Sequence, residues 1–100
     1  MADLKHIYDK KKKYVDSLNI VLGALTDFEA IEYARDPIQG DEYIRIKDKL
    51  GQVFYVNVTG NSEEAILLEV SRMTLGEKAV GFITNRERIR AVAPMFRKAV

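Results

Sequence analysis

The chain has no cysteine, only two prolines and a single histidine in its 100 residues. The absence of cysteine excludes disulfide bonds, thiolate catalysis and cysteine-ligated zinc. The one histidine, His6, has no second ligand at metal-binding spacing, so we expect it to be a solvated surface group. The sequence therefore predicts neither a metal site nor a cofactor.

Long apolar runs are also missing. No segment approaches the roughly 18 apolar residues that a helix needs to cross a bilayer, and residues 1–18 lack the apolar stretch of a secretory signal. We expect a cytoplasmic protein with no membrane partner. Apolar residues still make up 47% of the chain and charged residues 31%, which is typical of a globular domain and not of a disordered chain.

Catalytic motifs are absent as well. The chain contains no Gly-x-Ser-x-Gly elbow, no phosphate-binding glycine loop and no His–Glu pair at helical spacing. Carboxylates are plentiful, but none stands in an apolar setting that would raise its pKa for acid–base work. Glu69 comes nearest, between Leu68 and Val70, and we expect it to point to solvent. We therefore predict a protein that is not an enzyme.

The clearest pattern that is present is an amphipathic helix near the N-terminus. Apolar residues recur at three- and four-residue spacing from Asp3, a predicted N-cap, to Gly23, where a left-handed C-cap would end the helix. A helix of about twenty residues is roughly 30 Å long.

Three strands are predicted to follow. Residues 28–35 alternate loosely, and residues 43–47 alternate cleanly with Ile44 and Ile46 inward. Residues 52–59 are rich in β-branched and aromatic side chains, so residues 43–59 read as a β-hairpin with the first strand beside it.

Two shorter helices complete the prediction. Asn61 and Glu64 form a capping-box-like start for a second helix that ends at Gly76. Thr84 and Glu87 open a third one, which Pro94 kinks or restarts.

The predicted fold is therefore α+β: a long helix, a three-stranded antiparallel sheet and a second helix (α-β-β-β-α), then a short basic C-terminal helix. We expect one domain, with residues 1–78 as its core and residues 79–100 as a basic segment that packs back on it. The sequence is compatible both with a short fourth strand at residues 79–83 and with an irregular segment there.

This element order resembles that of the double-stranded-RNA-binding domain, whose final helix begins with lysines that contact phosphates. Residues 59–64 stand at the corresponding place and include Glu63 and Glu64, which suit the positive end of a helix dipole but would repel phosphate. The resemblance covers element order alone, and membership is not predicted.

Charge is distributed unevenly along the chain. Residues 77–100 carry six basic and two acidic side chains, whereas residues 26–76 carry five basic and ten acidic ones. The basic end can mark a polyanion site, but a solvated helix face is the more common origin of such a pattern. The candidate phosphate contacts are Arg86, Arg90, Arg97 and Lys98.

The outward face of the predicted hairpin is a second candidate site. Aromatic and basic groups on a sheet can stack on bases, although such residues also form ordinary cross-strand pairs on a solvated face. The residues concerned are Tyr43, Arg45, Lys47 and Tyr55.

A surplus of apolar helix surface is the third candidate. Leu68 and Leu75 face away from the inward stripe of their helix, and Leu18 and Leu22 continue an apolar seam on the first one. Either the apolar stripe of the C-terminal helix folds back and covers this surplus, or the surplus is an interface. We expect an interaction module that binds a protein partner or a second copy of itself. The alternative is an accessory protein that binds nucleic acid.

Overall fold

The computed structural model describes residues 4–25 and 28–96, and within the first helix it describes the side chains of residues 6–21. The element order confirms the predicted α+β class and the α-β-β-β-α arrangement. In chain order the elements are α1 (Leu4–Leu25), β1 (Phe28–Arg35), β2 (Glu42–Asp48), β3 (Val53–Asn57), α2 (Glu63–Thr74), α3 (Arg86–Val92) and a final 3-10 turn (Ala93–Phe96).

The first helix runs antiparallel to β1. The guanidinium of Arg35 lies 4.2 Å from the ring centre of Tyr8, and the side-chain oxygen of Asn19 accepts the backbone N–H of Ile31 at 2.8 Å. Gly23 lies inside the helix, so the predicted C-cap there is wrong. Glycine near a helix end costs only about 1 kcal/mol relative to alanine, which packing elsewhere on the helix can offset.

The sheet is antiparallel with strand order β1-β2-β3. Ile44 pairs with Tyr33 on one side and with Val56 on the other, so these three side chains share one face. Ile44 and Ile46 are fully buried, which confirms the inward face predicted for residues 43–47, and Val56 of β3 is fully buried beside them.

One face of the sheet is covered by α1 and α2. Val15 on α1 and Ile66 and Val70 on α2 pack into the main core with the inward side chains of the strands. The core therefore lies between a two-helix layer and the sheet.

The opposite face is covered by the C-terminal helices. Val92 and Phe96 form a second apolar cluster with Tyr43 and Tyr55, and the ring centres of Phe96 and Tyr55 are 5.8 Å apart. The C-terminal apolar stripe thus covers the far side of the sheet, not the surplus surface of α1 and α2. Three layers result, with the sheet in the middle.

Residues 79–83 contribute one antiparallel bridge, between Phe82 and Val56. The N–H of Asn57 donates to the carbonyl of Gly81, and the N–H of Ile83 donates to that of Tyr55, each at 2.9 Å. This segment protects the β3 edge without forming a strand of its own.

The helix starts lie one residue later than predicted. Ser62 caps α2 by accepting the N–H of Ala65, and Asn85 caps α3 by accepting the N–H groups of Glu87 and Arg88. The 3-10 turn that follows α3 contains Pro94, which confirms a break there. Across the described part of the chain, no helix combines the length and apolarity required to cross a bilayer.

Candidate interaction surface

The outward face of α2 carries exposed apolar side chains. At 3.6 residues per turn, Ile66 and Val70 point into the core while Leu68 and Leu75, seven residues apart, share the opposite face. Leu68 is 61% exposed and Leu75 is 77% exposed. The structure therefore brings together two of the predicted interface residues on one open helix face.

Val80 enlarges this surface from the segment that follows α2. Its side chain is 81% exposed. A groove of about 290 Å3 separates this segment from α2, and both Leu68 and Val80 line it. The remaining lining residues are Asn57, Asn61, Ala65, Glu69, Arg72 and Gly81. We call Leu68, Leu75 and Val80 the α2 patch.

Glu69 holds the floor of that groove. The expectation that it points to solvent is wrong, because its side chain is 6% exposed and accepts the backbone N–H of Gly81 at 3.0 Å. The carboxylate thereby ties α2 to the segment that carries Val80. Glu69, which the sequence places between apolar stripes of the helix, thus holds Val80 beside Leu68 through its hydrogen bond to Gly81.

Two exposed charges of opposite sign flank Leu68 along the helix. Glu64 lies one turn before it, in the acidic first turn of α2, and Arg72 lies one turn after it, in the last turn. Neither forms a salt bridge among the residues that the structure describes. Leu68 is therefore flanked by charges outside any ion pair of the described chain, acidic on its N-terminal side and basic on its C-terminal side.

The predicted interface residues of the first helix are only partly described. Leu18 is half-buried, and the side chain of Leu22 falls outside the described residues. The exposed apolar side chains on this helix include Ile20 and Val21 instead.

The basic residues of the C-terminal segment are only partly described. Arg86 and Arg90 are exposed at four-residue spacing on α3, and neither forms a salt bridge within residues 28–96. Arg97 and Lys98 lie outside the described residues. Between the two exposed arginines, Arg88 turns back to the sheet and donates to the hydroxyl of Tyr43 at 2.9 Å.

The predicted binding face of the sheet lies beneath the C-terminal helices. Tyr43 is 3% exposed and Tyr55 is 8% exposed, and burial raises the pKa of the Tyr43 phenol. Arg45 pairs with Glu32 on the neighbouring strand, and the hydrogen bond between them raises the pKa of the guanidinium.

The ring of Phe96 lies 5.6 Å from the same guanidinium. Lys47 Nζ is 3.8 Å from Glu29 Oε2. The four residues of this predicted site do share one face, but their rings and charges are already engaged, so bases cannot stack on them in this arrangement.

A buried carboxylate that the sequence reasoning missed joins α1 to the sheet. Oε1 of Glu42 lies 2.8 Å from Lys11 Nζ and accepts the hydroxyl of Tyr33 at 2.6 Å, while Oε2 accepts the N–H of Gly60 at 2.9 Å. Alternation was the available signal, because residues 42, 44 and 46 fall on the same face of β2.

The titration behaviour of this cluster is that of a structural ion pair. Burial alone would raise the pKa of Glu42, but the hydrogen bonds from Lys11, Tyr33 and Gly60 outweigh it and lower that pKa. Burial and the hydrogen bond to Glu42 raise the pKa of Tyr33. A general acid at neutral pH needs a raised carboxyl pKa, whereas that of Glu42 is lowered. The geometry therefore favours a structural role, in which Glu42 is a clamp between α1 and the sheet.

Another cavity, of about 500 Å3, lies between the β2–β3 turn and the end of α2. Phe28, Leu50 and Met73 supply its apolar wall. Asp48 is its one carboxylate and is committed to the turn, where it accepts the N–H groups of Leu50 and Gln52. This cavity therefore shows no convergent set of free polar groups among the described residues that line it.

Metal chemistry finds no support in the described residues, among which no three histidine or acidic side chains lie close enough to hold an ion. His6 is exposed. No protein-family model, curated protein or solved structure matches this chain. Its function is therefore inferred from the geometry of its surfaces.

Proposed function

We propose that this protein is a small, non-enzymatic interaction module that forms a homodimer through the outer face of α2. One observation carries the proposal: Leu68 and Val80 line one groove while largely exposed, and Leu75 is exposed on the same side of α2 as Leu68. Exposed apolar surface is costly in water, at about 25 cal/mol per Å2. Self-association removes the same patch from solvent on both copies at once.

The layer arrangement supports this reading. The C-terminal apolar stripe is used on the opposite face of the sheet, where Val92 and Phe96 pack on Tyr43 and Tyr55. No element of the described chain is left to cover Leu68. Contiguous exposed apolar patches on small proteins are typical of interaction surfaces.

A second copy is the occupant that the charges favour. Leu68 has the acidic Glu64 one turn before it and the basic Arg72 one turn after it, so this line along α2 is complementary to an antiparallel copy of itself. A cytoplasmic location, expected from the sequence, belongs to the same proposal. Fractionation of cells that express a tagged chain tests it.

Light scattering on a sizing column, over a wide range of protein concentration, tests the dimer. We expect the molar mass to rise from that of one chain to that of two as concentration increases. Leu68→Asp should keep the monomer mass throughout, because it places two carboxylates in the shared interface.

Ile38→Asp is the matched control, since Ile38 is an apolar residue that is 91% exposed in the β1–β2 loop, away from α2. It should leave the mass curve unchanged. A wild-type chain that stays monomeric at every concentration sinks the proposal.

Nucleic-acid binding is the second candidate, and one observation favours it. Arg86 and Arg90 are both exposed and point from one face of α3 without an ion-pair partner among the described residues. Phosphate contacts predict an affinity that falls steeply with salt and falls further with Arg90→Glu. Lys47→Glu is a control for net charge from another surface, and an affinity independent of salt refutes this candidate.

A further inference from the structure

The outer face of α2 has a charge order that determines how two copies can meet. Glu64, Leu68 and Arg72 follow one another at four-residue spacing, so they lie along one exposed line with the leucine at its centre. The two charges stand about 6 Å on either side of Leu68 along the helix axis, given a rise of 1.5 Å per residue.

We infer that two copies pair through α2 in antiparallel orientation, about a twofold axis that passes beside Leu68. This inference rests on the proposed homodimer and specifies its geometry. With Leu68 at the axis, the residue four positions before it faces the residue four positions after it on the other copy. Each Glu64 therefore meets the partner's Arg72, and the pairing occurs twice.

The parallel alternative is disfavoured by the same charges. With Leu68 against Leu68 in parallel, Glu64 would face the partner's Glu64 and Arg72 would face the partner's Arg72. Like charges brought together at an interface oppose association. The dipoles of the two helices would also be aligned in parallel, whereas antiparallel pairing sets the positive end of one beside the negative end of the other.

Apolar contacts complete the antiparallel arrangement. The groove between Leu68 and Val80 opens directly beside the axis and has Ala65 in its wall. Its apolar lining, from Ala65, Leu68 and Val80, offers a contact for the partner's Leu68. Glu69 keeps that groove in place through its hydrogen bond to Gly81.

The dimer should be weak, because α2 has only 12 residues. A helix of that length is about 18 Å long. It cannot bury the roughly 800 Å2 per partner of a standard interface unless flanking segments join it. We therefore expect assembly that depends strongly on concentration and on salt.

Charge-reversed variants test the pairing directly. Glu64→Lys alone sets a positive charge against the partner's Arg72, and Arg72→Glu alone sets a negative charge against the partner's Glu64. We expect each single variant to raise the dimer Kd on the order of tenfold, measured by sedimentation equilibrium at low salt.

An equimolar mixture of the two single variants, Glu64→Lys and Arg72→Glu, is the decisive sample. In a mixed dimer the two substituted side chains face each other with opposite charges, and the native Arg72 and Glu64 meet at the other end. Both ion pairs are therefore restored without any further change within either chain. We expect the mixture to associate about as tightly as the wild type.

Glu63→Lys is the matched control. It reverses a side-chain charge in the same first turn, beside the same positive end of the helix dipole. Residue 63 points away from the line of Glu64, Leu68 and Arg72, however, so it does not face the partner's Arg72. It should leave the Kd close to that of the wild type.

The outcomes separate the two levels of the proposal. Single variants that are both weaker than the wild type, with a mixture that matches the wild type, support the antiparallel pairing. A mixture that dimerises more tightly than the wild type indicates the parallel alternative, in which only the mixture sets opposite charges together. A wild-type dimer that Leu68→Asp abolishes, with a mixture no tighter than the single variants, overturns this pairing and leaves self-association standing. A wild type that is monomeric at all concentrations overturns both.

Discussion

Nζ of Lys11 on α1 lies 2.8 Å from Oε1 of Glu42 at the start of β2, and this buried ion pair ties the longest helix to the sheet. The same carboxylate accepts the hydroxyl of Tyr33 and the N–H of Gly60. Four separate segments of the chain therefore meet at one side chain. Loss of this carboxylate should therefore lower the stability of the whole fold.

Glu42→Gln should lower the free energy of unfolding by about 2–3 kcal/mol, because it removes one partner of a buried pair and leaves the Lys11 charge uncompensated. Urea unfolding at one fixed protein concentration measures the change, since self-association would make stability depend on concentration. Glu77→Gln, at an exposed position, is the control and should shift stability by less than about 0.5 kcal/mol. Equal effects of the two variants would contradict the clamp.

Stability should fall at both extremes of pH, for reasons that reside in the same cluster. The folded chain lowers the pKa of Glu42 below its ordinary value of 4.5, so its stabilising contribution is complete above that value and is lost as pH falls through the folded pKa. The folded chain raises the pKa of Tyr33 above its ordinary value of 10.0, so its contribution is complete below pH 10.0 and is lost as pH rises further.

Urea midpoints measured from acid to alkaline pH show both limbs. Glu42→Gln should flatten the acid limb, and Tyr33→Phe should flatten the alkaline limb, since each removes the titrating group. Limbs that are unchanged in both variants would assign the pH dependence to other groups.

Gly81→Ala should detach residues 79–83 from β3. A Cβ atom at this position would lie 2.2 Å from the backbone oxygen of Asn57, far inside contact distance. Because the obstacle is backbone, one of the two segments must move, at an expected cost of about 2–3 kcal/mol. Lys78→Ala, just before this segment and exposed, should cost under about 0.5 kcal/mol.

Hydrogen exchange locates the damage. The N–H groups of Asn57 and Ile83 form the two hydrogen bonds of the bridge, and both should exchange faster in Gly81→Ala. Exchange rates that stay at their wild-type values would mean that the bridge survives the substitution.

Several features of the fold could be read from the sequence because they depend on local periodicity. Ile44 and Ile46 alternate with charged neighbours, so one face of the hairpin had to be buried, and both are buried. The same rule extended by one step would have put Glu42 inward. The preceding Gly40 and Asp41 read as loop, which moved the predicted strand start to Tyr43 and hid the carboxylate.

Other features depend on contacts between distant segments and leave no local pattern. Glu69 is buried only because residues 79–83 run beside α2, and no residue near Glu69 in the sequence predicts that contact. Tyr43 and Tyr55 share their face of the hairpin with basic side chains, as on a solvated face, and the path of the C-terminal segment alone decides that they are covered. The charges and the exposed leucines on the outer face of α2 could be predicted from the sequence, whereas the partner of that face could not.

The C-terminal segment supplies the last prediction, because it closes the second face of the sheet. The ring of Phe96 packs at 5.8 Å from that of Tyr55, and the guanidinium of Arg45 lies 5.6 Å from the same phenylalanine ring. Truncating a buried phenylalanine removes its transfer free energy and leaves a cavity, at a cost of about 3–4 kcal/mol. Phe96→Ala should therefore lower the unfolding free energy by that amount and weaken the near-ultraviolet circular dichroism of the tyrosines.

Ile38→Ala is the control for Phe96→Ala, since it truncates an apolar side chain that is almost fully exposed. It should leave both signals nearly unchanged. Unfolding of the wild type in a single urea transition, with the tyrosine signal and the helix signal coincident, is the expected result if the segment belongs to the same cooperative unit. A tyrosine signal that disappears at lower urea than the helix signal would show instead that the C-terminal layer unfolds on its own, with the main core intact.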